Sequence, residues 1–506
     1  ISPQKVFNSG MNIAGKQSLA HPFDVHSDRV VGCVNCHYSL NNPVYFQQRD
    51  ESRPAHLDFD PRRMSSADYL QRPLHQFAKG SSTHGLAAAG SENSLRRCES
   101  CHDAEKVHLW LPYRQRHFNS LACESCHVPE LYGPALQTLD WTLPGPDGEP
   151  RRRYRNVDGD PASADGLIHG FRPVLLARET AGGGSKLSPY NLVTSWFWLA
   201  GDPARPVSRE QLVAALYEGG SPHTDLLRAL DDDKDGRLSG SELSLDSAER
   251  AAAVRERLHA SGLDNVRLGS EITPFAISHN VVNGRWATRE CTSCHSKESL
   301  FAMVFPLSDF QAGGQLPAHN NGAGGHAGLV LSGEIVRRND GSVAYTPDSS
   351  ANGFYIIGLH GLGLVDKLGL LMFFGVALGV TAHALARYYF KRRRAQRHPG
   401  EAPVTRPVYM YDRYERLWHW LQASAILILL GTGLIIHKPH IFGMFSFAYV
   451  VQVHNVLGFI LLINAALALF YNLASGEIRQ YLPEPKGFIG RSMAQTLYYT
   501  RGIFAG

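Results

Sequence analysis

The chain has 506 residues, too many for a single hydrophobic core, so several domains are expected. Charged residues make up 19% against 43% hydrophobic, and the apolar excess lies mainly beyond about residue 355, behind a polar, Gly/Pro-rich front section. A net charge of +4 is small for this length and argues against a nucleic-acid partner.

Ile1, Ser2 and Pro3 show no charged-then-apolar leader, and the expectation is that a signal segment has been removed or not included. All eight cysteines fall in Cys-x-x-Cys-His pentads: Cys33, Cys36 and His37; Cys98, Cys101 and His102; Cys123, Cys126 and His127; Cys291, Cys294 and His295. This pattern reads as covalent attachment of four c-type haems. Two intervening residues let both thiols reach one porphyrin edge, and the adjoining histidine is placed to ligate the iron. Disulfides, zinc ribbons or a thioredoxin-like pair are the competing uses of such cysteines, but none of them needs the trailing histidine.

Second axial ligands are expected from the remaining histidines of the front section. His26, seven residues before Cys33, is one choice, with His75, His117 and His279 as the others near the pentads. Which histidine serves which haem is left open by the sequence.

Residues 141–270 read as an insertion. The run from Arg151 to Arg155 looks like a solvated loop. Further on, Asp231, Asp233 and Asp235 occupy positions 1, 3 and 5 of an EF-hand calcium loop, with Gly236 at the turn. Arg237 would offer its backbone carbonyl, Ser239 would act directly or through water, and Glu242 would close the loop. Helices are expected over 211–230 and 244–258, and a lone loop of this kind suggests a structural clip. The fourth pentad follows, within residues 271–355.

The rear section reads as membrane. Uncharged or nearly uncharged apolar stretches at 368–385, 417–436 and 445–473 are each long enough to cross the hydrocarbon core. Lys391, Arg392, Arg393 and Arg394 follow the first stretch and should stay cytoplasmic, which puts residues 1 to about 360 on the outer side. Covalent haem attachment, an outer-face process, leads to the same placement. His419 lies near the cytoplasmic start of the second stretch and His454 in the outer part of the third, as ligands of two b haems at different depths would. His383 is a weaker candidate.

Three motifs carry a resemblance. Tyr414 to Trp420, the stretch around His454, and Gly476 to Pro483 resemble the membrane cytochrome b subunits of formate dehydrogenases, thiosulfate reductases and nickel–iron hydrogenases, over residues 408–506. The resemblance implies part of a four-helix bundle that holds two b haems and moves electrons between quinone and a partner oxidoreductase. His419 would be a ligand of the inner haem and His454 of the outer. In that family the opposing histidines lie on a later helix, so either the chain is truncated, which is favoured, or another subunit supplies them. The front section is similar, through its pentads alone, to multihaem cytochromes of the tetrathionate and nitrite or hydroxylamine reductase class.

The expected fold is mainly α: an irregular, haem-packed multihaem domain with an EF-hand insertion, then a transmembrane helical domain over 356–397 and 398–506. The expected function is quinone-linked electron transfer to or from a periplasmic redox protein or catalytic subunit. Quinol would react on the side of residues 406–416, near the inner b haem. A terminal reductase of a small oxyanion, or a docking subunit for a separate oxidoreductase, are the rival readings.

Overall fold

The computed structural model describes residues 2–32, 36, 98–179, 184–318, 331–348, 350–357, 359–360, 363–397, 412–437, 445–482 and 486–502. The chain divides into two compact units, Ile1–Tyr355 and Ile356–Gly506.

The first unit opens with α1 (Val25–Asp28), capped by the Asp24 carboxylate, which accepts the His26 and Ser27 N–H groups. Three short helices carry or flank the second and third pentads: α2 (Ala104–Val107), α3 (Arg114–Ser120) and α4 (Glu124–His127). A run of strands follows: β1 (Leu136–Asp140), β2 (Arg151–Tyr154), β3 (Val157–Asp158), β4 (Leu167–Ile168), β5 (Val174–Glu179), β6 (Ser185–Ala200) and β7 (Arg205–Pro206). A helical lobe then contains α5 (Arg209–Leu216), the hairpin β8 (Tyr217–Glu218) and β9 (Ser221–Pro222), α6 (Thr224–Leu230) and α7 (Ala248–Ala260). The unit closes with β10 (Arg267–Ala276), β11 (Phe305–Ser308), β12 (Gly333–Arg337) and β13 (Val343–Pro347).

The expectation of a mainly α front section is therefore corrected. Its centre is a six-stranded sheet in the order β10-β6-β1-β2, with β5 and β7 also paired to β6. The 16-residue β6 pairs antiparallel with β5 through residues 185–190 and with β10 through 190–199, and runs parallel to β1 at Thr194–Trp196. The physical reason lies in its composition. From Tyr190 onward the even-numbered residues Tyr190, Leu192, Thr194, Trp196 and Trp198 are buried, a period of two interrupted by buried Val193 and built from aromatic and branched side chains. Because β1 precedes residues 141–270 and β10 straddles their end, that stretch shares one sheet with its neighbours in the chain.

Two further expectations change. Arg151 to Tyr154 form β2, and Arg151 reaches the buried carboxylate of Asp140. Arg155 donates to Asn191 Oδ1 at 3.0 Å and to the Leu192 and Pro306 carbonyls, with its guanidinium 4.3 Å from the centre of the Phe305 ring. Burial pulls its pKa down to about 9. The helix expected over 211–230 is split into α5 and α6, because Gly219 and Gly220 adopt φ of 58° and 84° and turn the chain through the β8–β9 hairpin.

The helical lobe packs on one end of β6. Ser208 and Gln211 form a capping box that starts α5, and Ser247 caps α7. Leu212, Leu216, Leu226, Leu230 and Leu258 close around Trp198, whose indole N–H donates to the Thr142 carbonyl at 2.8 Å.

The second unit contains α8 (Gly363–Arg397), α9 (Arg413–His437), α10 (Phe447–Ser475) and α11 (Phe488–Leu497). Segments Asp366–Arg393, Arg413–His437 and Phe447–Ser475 are each long and apolar enough to cross a membrane. Side chains of α8 such as Leu371, Phe374 and Leu378 are exposed, as a lipid-facing helix requires.

Candidate functional site

In each of the three described pentads the histidine N–H donates to the carbonyl of the first cysteine, at 3.0 Å for His102, 3.0 Å for His127 and 2.8 Å for His295. That bond closes one helical turn. Residues three and four apart then share a face, so both thiols and the imidazole of a pentad are presented together. Cys33 and His37 of the first pentad lie outside the described residues, as does His75, while Cys36 is described.

Each described pentad histidine faces a second histidine. Ring centroids are 6.0 Å apart for His26 and His102, 5.9 Å for His108 and His127, and 6.1 Å for His117 and His295. Metal–imidazole bonds measure about 2.0–2.1 Å, so two imidazoles on opposite sides of one metal hold their centroids about 6 Å apart.

The tautomers agree. Nδ1 of His127 lies 2.8 Å from the Val282 carbonyl, Nδ1 of His108 lies 2.9 Å from Ala104 O, and Nδ1 of His117 lies 3.3 Å from Tyr113 O. A carbonyl only accepts, so each Nδ1 carries the proton and each Nε2 keeps its lone pair for a metal. Burial lowers the pKa of His127, against the opposing pull of the Val282 carbonyl, which keeps the ring in the neutral state that ligation needs.

No disulfide joins the described cysteines. Burial pushes the Cys126 thiol up to about 11 and the Cys294 thiol up to about 12, so neither is a reactive thiolate at neutral pH. Among the described residues no three cysteine or histidine atoms converge as a zinc site would demand. The residues present fit a c-type haem at each described pentad.

The third pentad is docked on β6. Ala122 N–H and Ser125 Oγ both donate to the Leu187 carbonyl, at 2.9 and 2.7 Å. On its other side, Val282 and Thr288 N–H groups donate to the His127 and Cys126 carbonyls at 2.8 Å each. His279 stands two residues before Val281, whose N–H donates to Asp24 Oδ2 at 3.0 Å.

In the loop between α6 and α7, ligand oxygens of Asp231, Asp233 and Asp235 lie within 4.8 Å of one another. Gly236 adopts φ of 81° and donates its N–H to Asp231 Oδ2 at 2.9 Å. The Arg237 N–H donates to Asp235 Oδ1 at 2.7 Å. The Glu242 carboxylate folds under the loop and accepts N–H groups of Asp232 and Ser239, both at 2.7 Å. The Ser239 contacts are the main cause that holds its pKa down to about 2.

In the second unit, His419 sits on α9 between Trp418 and Trp420, and His454 sits on α10. Nδ1 of His454 lies 2.8 Å from Thr432 Oγ1, and Gly433 leaves room against its ring. His419 precedes Thr432 by thirteen residues, about 20 Å along a helix at 1.5 Å per residue, so the two histidines lie at different heights. Beside His419, the buried indole N–H of Trp418 has no partner among the described residues. Of residues 406–416, 412–416 are described: Asp412 and Glu415 cap the start of α9 reciprocally, and the Tyr471 hydroxyl donates to Asp412 at 2.9 Å.

Residues 410–502 match the family described as prokaryotic cytochrome b561. The rear of this chain is a cytochrome b561-type domain. The chain is also 33% identical over 132 residues to "Putative cytochrome YdhU" of Escherichia coli (strain K12). That match covers 26% of this chain and 48% of the relative, so the chain spans about half the length of the curated protein it resembles. No solved structure matches. The domain, its three apolar helices and the family make this a membrane protein with b-haem electron transfer as its general theme.

Of the distal histidines chosen from sequence, His26 and His117 stand opposite pentad histidines. His108 was passed over. The signal that would have found it is its place, six residues after His102 and within one helical turn of the Ala104 carbonyl that fixes its tautomer.

Proposed function

We propose that the chain is a membrane-anchored, quinone-linked electron-transfer protein, joining a b-type membrane unit to four c-type haems on the outer side of an energy membrane. The observation that carries this reading is the second histidine opposite each described pentad histidine, at 5.9–6.1 Å between ring centroids. Haem held by two histidines supplies one-electron redox chemistry at low potential. The protein's own contribution would be to hold each haem between two histidines, with their tautomers fixed through Ala104, Tyr113 and Val282, and to keep exogenous ligands out. A terminal reductase of an oxyanion needs an open position instead, and the second histidine opposite each described pentad histidine argues against that reading.

In the membrane unit, His419 and His454 are the proposed b-haem ligands. Asp412, Glu415 and Tyr471 lie at the proposed quinone-reactive end, where a carboxylate and a phenol can take up and pass on protons. The basic run Lys391 to Arg393 at the end of α8 supports a cytoplasmic location for that end. The loop from Asp231 to Glu242 is proposed as a structural calcium site, supported by its three convergent carboxylates.

The test is a redox-titrated optical and EPR spectrum of the purified protein, with and without nitrite or tetrathionate. Low-spin ferric signals from every c haem, unchanged by either anion, are expected. A high-spin c haem that shifts with an anion would make the protein a reductase.

A further inference from the structure

Resting on the reading of the pentads as haem sites, we infer a specific pairing of axial ligands: His26 with His102, His108 with His127, and His117 with His295, with the Cys123–His127 pentad as the middle site of the three. Pairing is a separate matter from ligation. Each distal histidine comes from a different stretch of chain, and nothing in the pentad spacing says where it goes.

Geometry makes the assignment. The three centroid separations lie within 0.2 Å of each other and at the value expected for two imidazoles sharing one iron. Two of the distal residues, His108 and His117, donate their own Nδ1 protons to the carbonyl four residues earlier, Ala104 and Tyr113. A helical turn thus locks each distal ring with Nε2 directed away from its own backbone. The ligand of the third pentad comes from just after the second, and the ligand of the fourth from just before the third. Each short segment therefore serves the next site along the chain.

Contacts between pentads give the order. Cys123 Sγ lies 3.9 Å from Glu99 Oε1, inside the second pentad. The Cys126 carbonyl accepts the Thr288 N–H at 2.8 Å, three residues before the fourth pentad. The Arg289 guanidinium lies 4.8 Å over the Trp110 ring, tying the His108 segment to the same place. The third pentad consequently touches the surroundings of both others, and an electron moving between the second and fourth meets it first.

The experiment uses the full chain in detergent. Wild type should show four covalent haems by mass and low-spin bis-histidine spectra; absence of covalent haem would sink the haem reading itself. In His108→Met, one c haem should gain histidine–methionine near-infrared absorption and titrate at a higher potential, since methionine ligation raises it. His169→Met, whose Nε2 bonds Asp158 at 2.8 Å, should change nothing. Removing the middle haem with Cys123→Ala and Cys126→Ala should then make His108→Met silent among the three haems left. A methionine-ligated haem persisting there would overturn the pairing. So would an unaltered spectrum of His108→Met. If the methionine variant does not accumulate, His108→Ala should give one high-spin haem that added imidazole returns to low spin, and failure to do so refutes the assignment.

Discussion

The hydroxyl of Thr432 lies 2.8 Å from Nδ1 of His454, across the packing of α9 against α10. The same hydroxyl is 2.9 Å from the Ile428 carbonyl one turn earlier. The carbonyl takes the hydroxyl proton, so the hydroxyl oxygen accepts from Nδ1–H and Nε2 is left as the free lone pair. Thr432→Val keeps the shape and removes the acceptor. It should lower b-haem retention by about 10–100-fold, the usual cost of losing the group that orients a metal-bound histidine. The covalent haem count should stay at the wild-type value, and a b-haem spectrum indistinguishable from wild type would show that Thr432 has no part in orienting the ligand.

His419 and His454 occupy different heights on neighbouring helices, so their losses should be separable. His454→Ala should remove one b-haem signal in a redox titration and His419→Ala another of different potential. Both variants should block electron entry from a quinol analogue while the c haems stay reducible by dithionite. Loss of the same b-haem component in both variants would contradict two sites at two depths.

Calcium should stabilise the first unit. At a calcium concentration about 100 times Kd, binding to the folded loop alone adds about 2.7 kcal/mol. A calorimetric scan should show Tm falling on chelation in the wild type and unmoved in Asp231→Ala combined with Asp233→Ala. Equal Tm values with and without chelator in the wild type would argue that the acidic loop holds no ion.

Glu242 sets a pH window for the same lobe. Its pKa is held down to about 2 by the Ser239, Asp232 and Asp233 N–H groups, below the unfolded glutamate value of about 4.3. A depressed carboxylate contributes stability that is fully present above the unfolded value and is lost as pH falls toward the folded one. Calcium-free protein should therefore lose lobe stability between about pH 4.3 and 2. Glu242→Gln should flatten that part of the profile, as followed by far-ultraviolet circular dichroism.

Leu230 is fully buried among Trp198, Leu216 and Leu258 and ends the helix that feeds the acidic loop. Leu230→Ala should cost about 2–5 kcal/mol by leaving a cavity. The same variant should weaken calcium affinity, measured by isothermal titration, because the first ligand, Asp231, follows directly in sequence.

What could be read from sequence was whatever is written in consecutive residues. The pentads, the acidic loop and the apolar spans each place their chemistry within a few residues of itself, so spacing alone reveals them. The sheet was hidden by composition. β6 mixes Pro189, Asn191 and Ser195 with its buried aromatics, and consecutive buried residues at 187–190 and 192–194 blur its alternation. Arg155 reads as a surface residue because nothing nearby in sequence signals that Phe305 and the Pro306 carbonyl will cover it. The histidine pairs were hidden for the same reason: His117 and His295, whose rings lie 6.1 Å apart, are separated in sequence by the strands of the whole central sheet.

The carbonyl that orients His127 belongs to Val282, 155 residues further along. A chain threaded across a membrane from its N-terminus delivers Cys123 and Cys126 long before it delivers Val282. Contacts of such separation form late, because the loop between them must first be closed. On the proposed reading, with the front section exported and haem attached at Cys123 and Cys126, these thiols would be available before the segment that aligns the His127 imidazole. On that reading, assembly of β6, the helical lobe and β10 would act as a timing step that brings the Val282 carbonyl to His127 last.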